Sequence, residues 1–425
     1  MLNPFTPSII ASDPGDFFGR SDELRTLARS LAQGSVAIQG PIGIGKSSLL
    51  ARGVLAMEGF DSQYRCRAVT AIGDRDVATV DGAARLLVER FTQIDERQNR
   101  VALNLGGIFE IESSDIVRNF VEGRHLAVLK RLLERDNVSR ALGNDRRLVL
   151  AIDEVDKCPI PIARLVRSIV THTQQLGISD VRFLIAGVSP FFQQMLTEDP
   201  GVGRFFYRVI DVKPMLEPDA RELLETKLTQ AVQSAEDEGI DLRINPDVID
   251  RVVALSGGHP HILQLLGSHL IEHEEDDPDG VIDSRDLANS LRRICYEDRG
   301  AVYDATLHQL ELFGLLDPLK DLLGLTERSP ARIVLPTFPT TIDRGLARQC
   351  ATDAQIHSLV ERNVLWAGDP DDYNLVDEFL RVRLLLDRAN AEETERLLLR
   401  GRILAYETDE QGRISISDES ADNDG

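Results

Sequence analysis

Uninterrupted runs of apolar residues are the clearest structural signal along this chain. Ser35–Gln39, Leu148–Ile152 and Val181–Val188 are apolar, or nearly so, on both faces. Central strands of a parallel sheet, covered by helices on both sides, have this pattern, whereas half-exposed strands alternate. A helix over about Pro161–Leu176 separates the last two runs. A further strand of the sheet is predicted within Gly203–Val212. The pattern therefore predicts an α/β fold with a parallel sheet.

Beyond this sheet, apolar positions recur with helical spacing. Pro218–Ala235 and Asn245–His273 predict a small helical domain. The acidic, helix-breaking segment His273–Gly280 is expected to be a solvated connection. Asp283 is a good N-cap for a helix over Ser284–Asp298.

The region after about residue 300 has the pattern of a winged helix-turn-helix. Helices are predicted at Asp343–Gln349 and Asp353–Arg362. Strands at Val364–Trp366 and Tyr373–Val376 would then pair around a wing at Gly368–Asp372.

Two further segments complete the predicted organisation. Between the first two buried strands, Arg100–Ile111 indicates a hairpin and Asp115–Glu134 an amphipathic helix, so an insertion is expected there. At the end of the chain, Ala391–Ala405 indicates a Leu-rich helix, and the acidic tail after it is expected to be disordered. The predicted domains are 1–213 (sheet domain, insertion about 75–145), 214–299 (helical), 300–390 (winged-helix-like) and 391–425 (helix and tail).

Composition narrows the class of protein. The chain has 425 residues, 42% of them hydrophobic, with no apolar run long enough to span a bilayer and no signal-peptide pattern. Its four cysteines are far apart in sequence, which favours reduced thiols and a cytoplasmic location. The net charge of −22 opposes diffuse binding to nucleic acid and to membranes.

An octapeptide after the first predicted strand carries the strongest chemical signal. Residues 40–47 match the phosphate-binding loop pattern G-x-x-x-x-G-K-[ST] at every fixed position. Its glycines allow consecutive backbone N–H groups to turn inward around an anion, at the N-terminus of a helix. Lys46 would reach the β- and γ-phosphates, and the Ser47 hydroxyl would complete a Mg²⁺ shell. The expected nucleotide-binding residues are Gly40, Pro41, Ile42, Gly43, Ile44, Gly45, Lys46, Ser47 and Ser48.

Two carboxylates follow the second buried run, at the strand end where parallel sheets bind their ligands. Asp153 is expected to hold the Mg²⁺ shell and Glu154 to polarise the attacking water. Glu154 and Lys46 are therefore candidate catalytic residues, and the presence of Glu154 favours hydrolysis over binding alone. Asp156 either braces the site, contacts a neighbouring subunit, or is an ordinary surface acid.

Three further residues have open interpretations. Ser189 follows the strand expected beside the carboxylate strand, where it would sense the γ-phosphate or cap the next helix. Arg204 or Arg208 would enter a neighbouring copy's site and stabilise transition-state charge if subunits stack. Without stacking they are surface arginines.

These pieces, in this order, resemble the AAA+/STAND superfamily of P-loop ATPases, particularly members related to origin-recognition ATPases. The segment Phe18–Leu24 looks like the family's opening motif, which implies that Phe18 and Arg20 lie beside adenine. Leu255–Gln264 looks like the STAND G-x-P element, which implies nucleotide contacts from a helical lid. That element contains Gly258, Pro260 and His261. The resemblance covers roughly residues 15–270 and implies ATP and Mg²⁺ as cofactors.

One departure from the family bears on mechanism. His261 stands where origin-recognition ATPases carry a lid arginine that reads the γ-phosphate. This favours a STAND switch, an ATPase that relays its nucleotide state to the winged helix in signalling or defence. A scaffold that barely hydrolyses and a DNA-handling ATPase for replication initiation, recombination or transposition are the alternatives.

The predicted winged helix argues against the DNA-handling alternative. Its second helix carries Asp353 and Glu361 beside a single Arg362, and its wing has three carboxylates within Asp369–Asp372. Because a DNA reader needs cations facing phosphates, we expect a protein-interaction or autoinhibitory module. Expected partners are nucleotide and a protein, including a second copy of this chain.

Overall fold

The computed structural model divides the chain into two compact units, Ile10–Lys213 and a second unit of Met1–Ile9 with Pro214–Gly425. Each unit is described by itself. The structure describes residues 2–11, 13–59, 65–95, 100–104, 108–112, 114–134, 136–137, 146–176, 181–276, 279–325, 341–367, 372–388, 407–408 and 414–415.

The first unit is built on a five-stranded sheet in which every pairing is parallel, with strand order β2-β6-β7-β1-β8. This confirms the predicted α/β fold class. The helices and strands of this unit are α1 (Ser21–Leu31), β1 (Ser35–Gly40), α2 (Lys46–Gly59), β2 (Arg65–Ile72), α3 (Val80–Phe91), β3 (Thr92–Asp95), β4 (Arg100–Asn104), β5 (Ile108–Glu112), α4 (Ser114–Val121), α5 (His125–Leu132), β6 (Arg146–Asp153), α6 (Pro159–Gln175), β7 (Val181–Val188), α7 (Phe191–Glu198) and β8 (Phe206–Asp211).

Strand β6 shows why the apolar runs predicted buried strands. Leu148, Leu150 and Ile152 belong to one core cluster, together with residues of α3, α5 and α6. Val149 and Ala151, which alternate with them, belong to a second cluster with residues of α1 and α2. Since successive side chains of a strand point to opposite faces, both faces of the sheet are covered.

The segment between α3 and β6, where an insertion is predicted, contains β3, β4, β5, α4 and α5. Strands β3, β4 and β5 form an antiparallel sheet, so the predicted hairpin over Arg100–Ile111 is confirmed. The single helix predicted over Asp115–Glu134 is wrong, because α4 ends at Val121 and α5 begins at His125. Gly123 between them has φ of 72°, a left-handed conformation that ends a helix and suits glycine.

Helices dominate the second unit. Its elements are α8 (Glu217–Asp237), β9 (Arg243–Ile244), α9 (Pro246–Ser256), α10 (Pro260–Asp276), β10 (Val281–Ile282), α11 (Ser284–Arg293), α12 (Gly300–Leu312), α13 (Leu316–Leu322), β11 (Thr341–Asp343), α14 (Arg344–Cys350), α15 (Asp353–Glu361), β12 (Leu365–Trp366), β13 (Asp372–Leu375), α16 (Glu378–Arg388), β14 (Glu407–Thr408) and β15 (Ile414–Ser415).

The first residues of the chain lie along α10. The Asn3 side-chain amide donates to Ser268 Oγ at 3.0 Å. The buried Phe5 ring packs on Gly267, where an added Cβ would come within 2.2 Å of the ring. The hydrophobic pattern gives no sign of this association, because the segment is too short for periodicity.

The acidic connection after His273 differs from the prediction. Helix α10 continues to Asp276, and Glu274 is buried instead of solvated. The Glu274 carboxylate accepts a hydrogen bond from Gly280 N at 2.8 Å, which explains why an acid lies inside. Asp283 caps α11 as predicted, and Ile294–Asp298 forms π-helical turns beyond that helix.

The C-terminal elements include a three-stranded antiparallel sheet in the order β11-β13-β12. Along the chain, α14 and α15 lie between β11 and β12. Residues 369–371 of the predicted wing tip Asp369–Asp372, and the predicted helix Ala391–Ala405, lie outside the described residues. In the tail, β14 and β15 pair over two residues each.

Two general expectations can be compared with the described part of the chain. No helix there is long and apolar enough to cross a bilayer. Cys158, Cys295 and Cys350 are free thiols, and burial raises the pKa of each.

Candidate nucleotide-binding site

The octapeptide forms the turn between β1 and α2. Gly43 and Gly45 have φ of 78° and 96°, conformations that side chains with a Cβ rarely adopt. Gly40 is tightly packed, because an added Cβ would lie 2.8 Å from Val212 O. The loop is therefore a compact glycine turn at the carboxyl edge of the sheet, next to the first turn of a helix.

Lys46 is buried in this turn, with only 8% of its surface exposed. Its Nζ donates to Pro41 O at 2.7 Å. Burial lowers the pKa of Lys46 to about 8, and the nearby charges of Asp153, Asp156 and Glu154 oppose that shift. Since desolvation disfavours the ammonium form, an anion bound beside Nζ would stabilise its charge.

Arg20 contacts the backbone of the phosphate-binding loop. Its guanidinium donates to Ile44 O at 3.1 Å and to the Glu23 carboxylate at 2.9 Å, and only 5% of the residue is exposed. Phe18, predicted beside adenine, is partly buried. The neighbouring Phe17 packs against the sheet's core cluster.

The carboxylate pair stands at the end of β6. Asp153 is 8% exposed, and its Oδ1 accepts a hydrogen bond from Glu154 N at 2.8 Å. Glu154 has φ of 54° and ψ of 36°, a left-handed conformation that is uncommon for a residue with a side chain. Gly73 lies against it, since an added Cβ would be 2.3 Å from Glu154 O.

The Glu154 side chain is not free. Its Oε2 accepts a hydrogen bond from Lys157 Nζ, with the two side chains 46% and 34% exposed. Lys157 N also donates to Glu154 O at 3.1 Å. Sequence reasoning missed Lys157, although its position three residues after the glutamate was a usable signal.

Asp156 has a bracing role. Its Oδ1 accepts a hydrogen bond from Val188 N at 2.9 Å, and Gly187 packs on the same carboxylate. Of the interpretations that the sequence left open, the structure shows the brace, at the end of β7.

Ser189 links β7 to the loop. Its backbone N donates to Gly40 O at 3.3 Å. It does not cap α7, because the N-cap of that helix is Pro190 and no side chain caps it. A contact between the Ser189 hydroxyl and a γ-phosphate stays a prediction.

The structure does not bring the two candidate arginines to this edge of the sheet. Arg208 pairs with Val36, near the amino ends of their strands. Arg204 is exposed, and its guanidinium lies 4.8 Å from the centroid of the Phe205 ring. A role of either residue in a second copy's site stays a prediction.

Gly258, Pro260 and His261 belong to the second unit. Gly258 has φ of 73°, and Met215 N donates to its carbonyl at 2.8 Å. Pro260 is the first residue of α10. His261 Nδ1 lies 2.9 Å from Pro7 O, so it is the protonated ring nitrogen and Nε2 is left for another contact.

A parallel sheet with strand β1, this glycine loop, helix α2 and a carboxylate pair at the end of β6 defines a P-loop NTPase. The chain belongs to the family described as Novel STAND NTPase 1, whose sequence model matches residues 2–306. The family places it among STAND-type P-loop NTPases.

Solved structures agree on the fold. A Walker-type ATPase of Pyrococcus abyssi superposes with a TM-score of 0.57 at 16% identity, covering 89% of this chain and 98% of that one. The ORC2 protein of Aeropyrum pernix, in ADPNP–ADP complexes, gives 0.52 at 14% identity, covering 94% and 98%. Among curated proteins, none matches this chain.

The close contact at Gly73 yields a stability prediction. Gly73→Ala would place a methyl group against the Glu154 carbonyl and force one backbone segment to move. We expect the free energy of unfolding, measured by urea denaturation, to fall by about 1–3 kcal/mol.

Gly82→Ala is the matched control. An added Cβ at this residue in the first turn of α3 meets nothing closer than 3.4 Å, an ordinary contact. Unfolding of this variant should need at least as much urea as wild type. Equal stability of Gly73→Ala and wild type would contradict the account of the Glu154 backbone.

Proposed function

We propose that this protein binds ATP with Mg²⁺, hydrolyses it slowly, and acts as a regulatory switch. The observation that carries the proposal is the buried ammonium of Lys46, enclosed in a glycine turn beside two strand-end carboxylates. A polyphosphate suits a buried cation in a glycine turn at a helix N-terminus.

The residues present fit the nucleotide and its metal. Backbone N–H groups of the loop would bind the phosphates, and Lys46 would leave Pro41 O for the β- and γ-phosphates. The Ser47 hydroxyl and the Asp153 carboxylate are the oxygen ligands that Mg²⁺ prefers. The bound metal would neutralise charge that develops on the phosphates.

Glu154 is the residue that we assign to water activation. Its backbone is fixed by Asp153 Oδ1 and by the contact with Gly73, so its carboxylate starts from a defined position. It would orient the attacking water and accept its proton.

Contacts to the rest of the nucleotide are assigned by family resemblance. Phe18 would lie beside the base, and Arg20 would act by bracing the loop through Ile44 O. Gly258, Pro260 and His261 would respond to the bound nucleotide. Because His261 Nδ1 is engaged by Pro7 O, its Nε2 is the atom for that response.

A partly buried carboxylate supports a relay within the second unit. Asp377, next to the first residue of α16, accepts hydrogen bonds from the Tyr303 hydroxyl at 3.1 Å and from Phe379 N at 3.0 Å. Burial raises the pKa of Asp377, while the charges of Arg299 and His261 lower it. The hydrogen bond from Tyr303 therefore links the start of α16 to α12.

Two variants test nucleotide binding and hydrolysis separately. Lys46→Ala removes the phosphate-binding cation and should abolish binding of an ATP analogue in a titration. Glu154→Gln keeps the shape of the side chain but removes the base. We expect it to bind ATP and to release phosphate about 100-fold or more slowly than wild type.

The two variants also separate this proposal from a scaffold that barely hydrolyses. Equal phosphate release by wild type and Glu154→Gln would remove Glu154 as the base and favour the scaffold. Unchanged nucleotide affinity of Lys46→Ala would overturn the binding site itself.

The lowered pKa of Lys46 predicts a pH dependence of binding. With a pKa of about 8, the ammonium form predominates at pH 7 and is the minor form at pH 9. Since the phosphates bind the ammonium, ATP affinity should fall about tenfold between these pH values.

Lys46→Arg is the control for this titration, because a guanidinium stays protonated throughout. Its affinity, whatever its level at pH 7, should change much less by pH 9. A wild-type affinity that is constant over this range would contradict the described environment of Lys46.

We further propose that the C-terminal elements form a winged helix that binds protein. Helix α15 carries Asp353 and Glu361, and Glu361 lies 3.2 Å from His357. In a DNA-binding winged helix this helix would face the phosphates, so these acids support protein as the partner. A second copy of this chain is one candidate partner, with Arg204 or Arg208 as the residue entering its site.

Duplex binding by the full chain tests this choice. At physiological salt we expect no dissociation constant tighter than about 10 µM in fluorescence anisotropy, since carboxylates oppose the phosphates. Asp353→Lys combined with Glu361→Lys should tighten the residual binding. Tight, salt-sensitive binding by wild type would instead support the DNA-handling ATPase.

A further inference from the structure

The most informative unassigned contact in the first unit is the pair between Lys157 and Glu154. Lys157 holds the glutamate twice, through N to the Glu154 carbonyl at 3.1 Å and through Nζ to Oε2. The second of these contacts occupies an oxygen of the carboxylate that is assigned to the attacking water.

From this geometry we propose that Lys157 is a positioning residue that restrains Glu154 and slows ATP hydrolysis. The inference rests on the proposed function, since it needs Glu154 to be the base. An ammonium that already donates to the carboxylate competes with the water for the same acceptor.

The backbone of Glu154 does not depend on the Lys157 ammonium. Its amide is held by Asp153 Oδ1 at 2.8 Å, and its carbonyl lies against Gly73. Removing Nζ therefore frees the carboxylate without releasing the main chain. This separates a restraint on the side chain from a loss of local folding.

The surroundings of Lys157 are consistent with a restraint that can be displaced. The hydrogen bond to Glu154 raises the pKa of Lys157. The negative charges of Glu154 and Asp156 act in the same direction, and the positive charge of Arg75 opposes them. Both side chains of the pair are partly exposed. Exposed pairs of this kind contribute little and weaken with salt, so a neighbouring charge can replace one partner.

Single-turnover phosphate formation is the measurement, because product release then cannot hide a change in the chemical step. Lys157→Met should raise this rate about two- to fivefold at low salt, the factor expected for a half-exposed pair. The dissociation constant for the ATP analogue should be unchanged. Raising the ionic strength should reduce the difference in single-turnover rate between Lys157→Met and wild type.

Three matched variants sharpen the test. Lys157→Arg keeps the cation and should restore a rate near that of wild type. Lys130→Met removes a lysine charge on α5 and should leave the rate unchanged. In the Glu154→Gln background, Lys157→Met should have no effect, because the residue acts only through the glutamate.

The outcomes are distinguishable. If Glu154→Gln is inactive and wild type is active, but Lys157→Met is equal to or slower than wild type, the restraint is wrong and the proposed function stands. If Glu154→Gln matches wild type, both the base assignment and the restraint fail. Acceleration in Lys157→Arg as large as in Lys157→Met would also overturn the role of the charge.

Discussion

The burial of one ammonium group is the constraint on which the site depends. Lys46 is only 8% exposed, and a backbone carbonyl, Pro41 O, accepts a hydrogen bond from its Nζ. Burial disfavours the charged form of such a group, so its pKa falls in the free protein. A bound anion stabilises the ammonium form. The loop around it must therefore be rigid before the ligand binds.

Three contacts from separate parts of the first unit supply that rigidity. The Arg20 guanidinium reaches the Ile44 carbonyl, Ser189 N donates to Gly40 O, and Val212 O leaves no room for a side chain at Gly40. The two hydrogen bonds are accepted by loop carbonyls, so neither of them uses a loop N–H group. Preorganisation of this kind avoids reorganisation when charge develops during the reaction.

Local patterns predicted most of this architecture. The loop motif and the buried strands could be recognised because their signals lie within a few consecutive residues, as in β6. The break at Gly123 and the burial of Glu274 could not, since each depends on a conformation or partner outside the pattern. The pairing of Asp156 with Val188 N is a tertiary contact that no spacing encodes.

The second unit also contains contacts between residues far apart in sequence, which local patterns could not predict. Its first residues associate with α10 through Asn3 and Phe5, far from that helix in sequence. Asp377 likewise accepts a hydrogen bond from Tyr303 of α12, far from it in sequence. Family membership shows a STAND-type P-loop NTPase, whereas these contacts are visible only in the structure.

The most direct test of the account is a crystal structure grown with Mg²⁺ and a non-hydrolysable ATP analogue. We predict that Lys46 Nζ will have left Pro41 O for a phosphate oxygen, with loop N–H groups on the same phosphates and Asp153 beside the metal. A loop without nucleotide under saturating conditions, or nucleotide bound elsewhere with Lys46 still on Pro41 O, would contradict it.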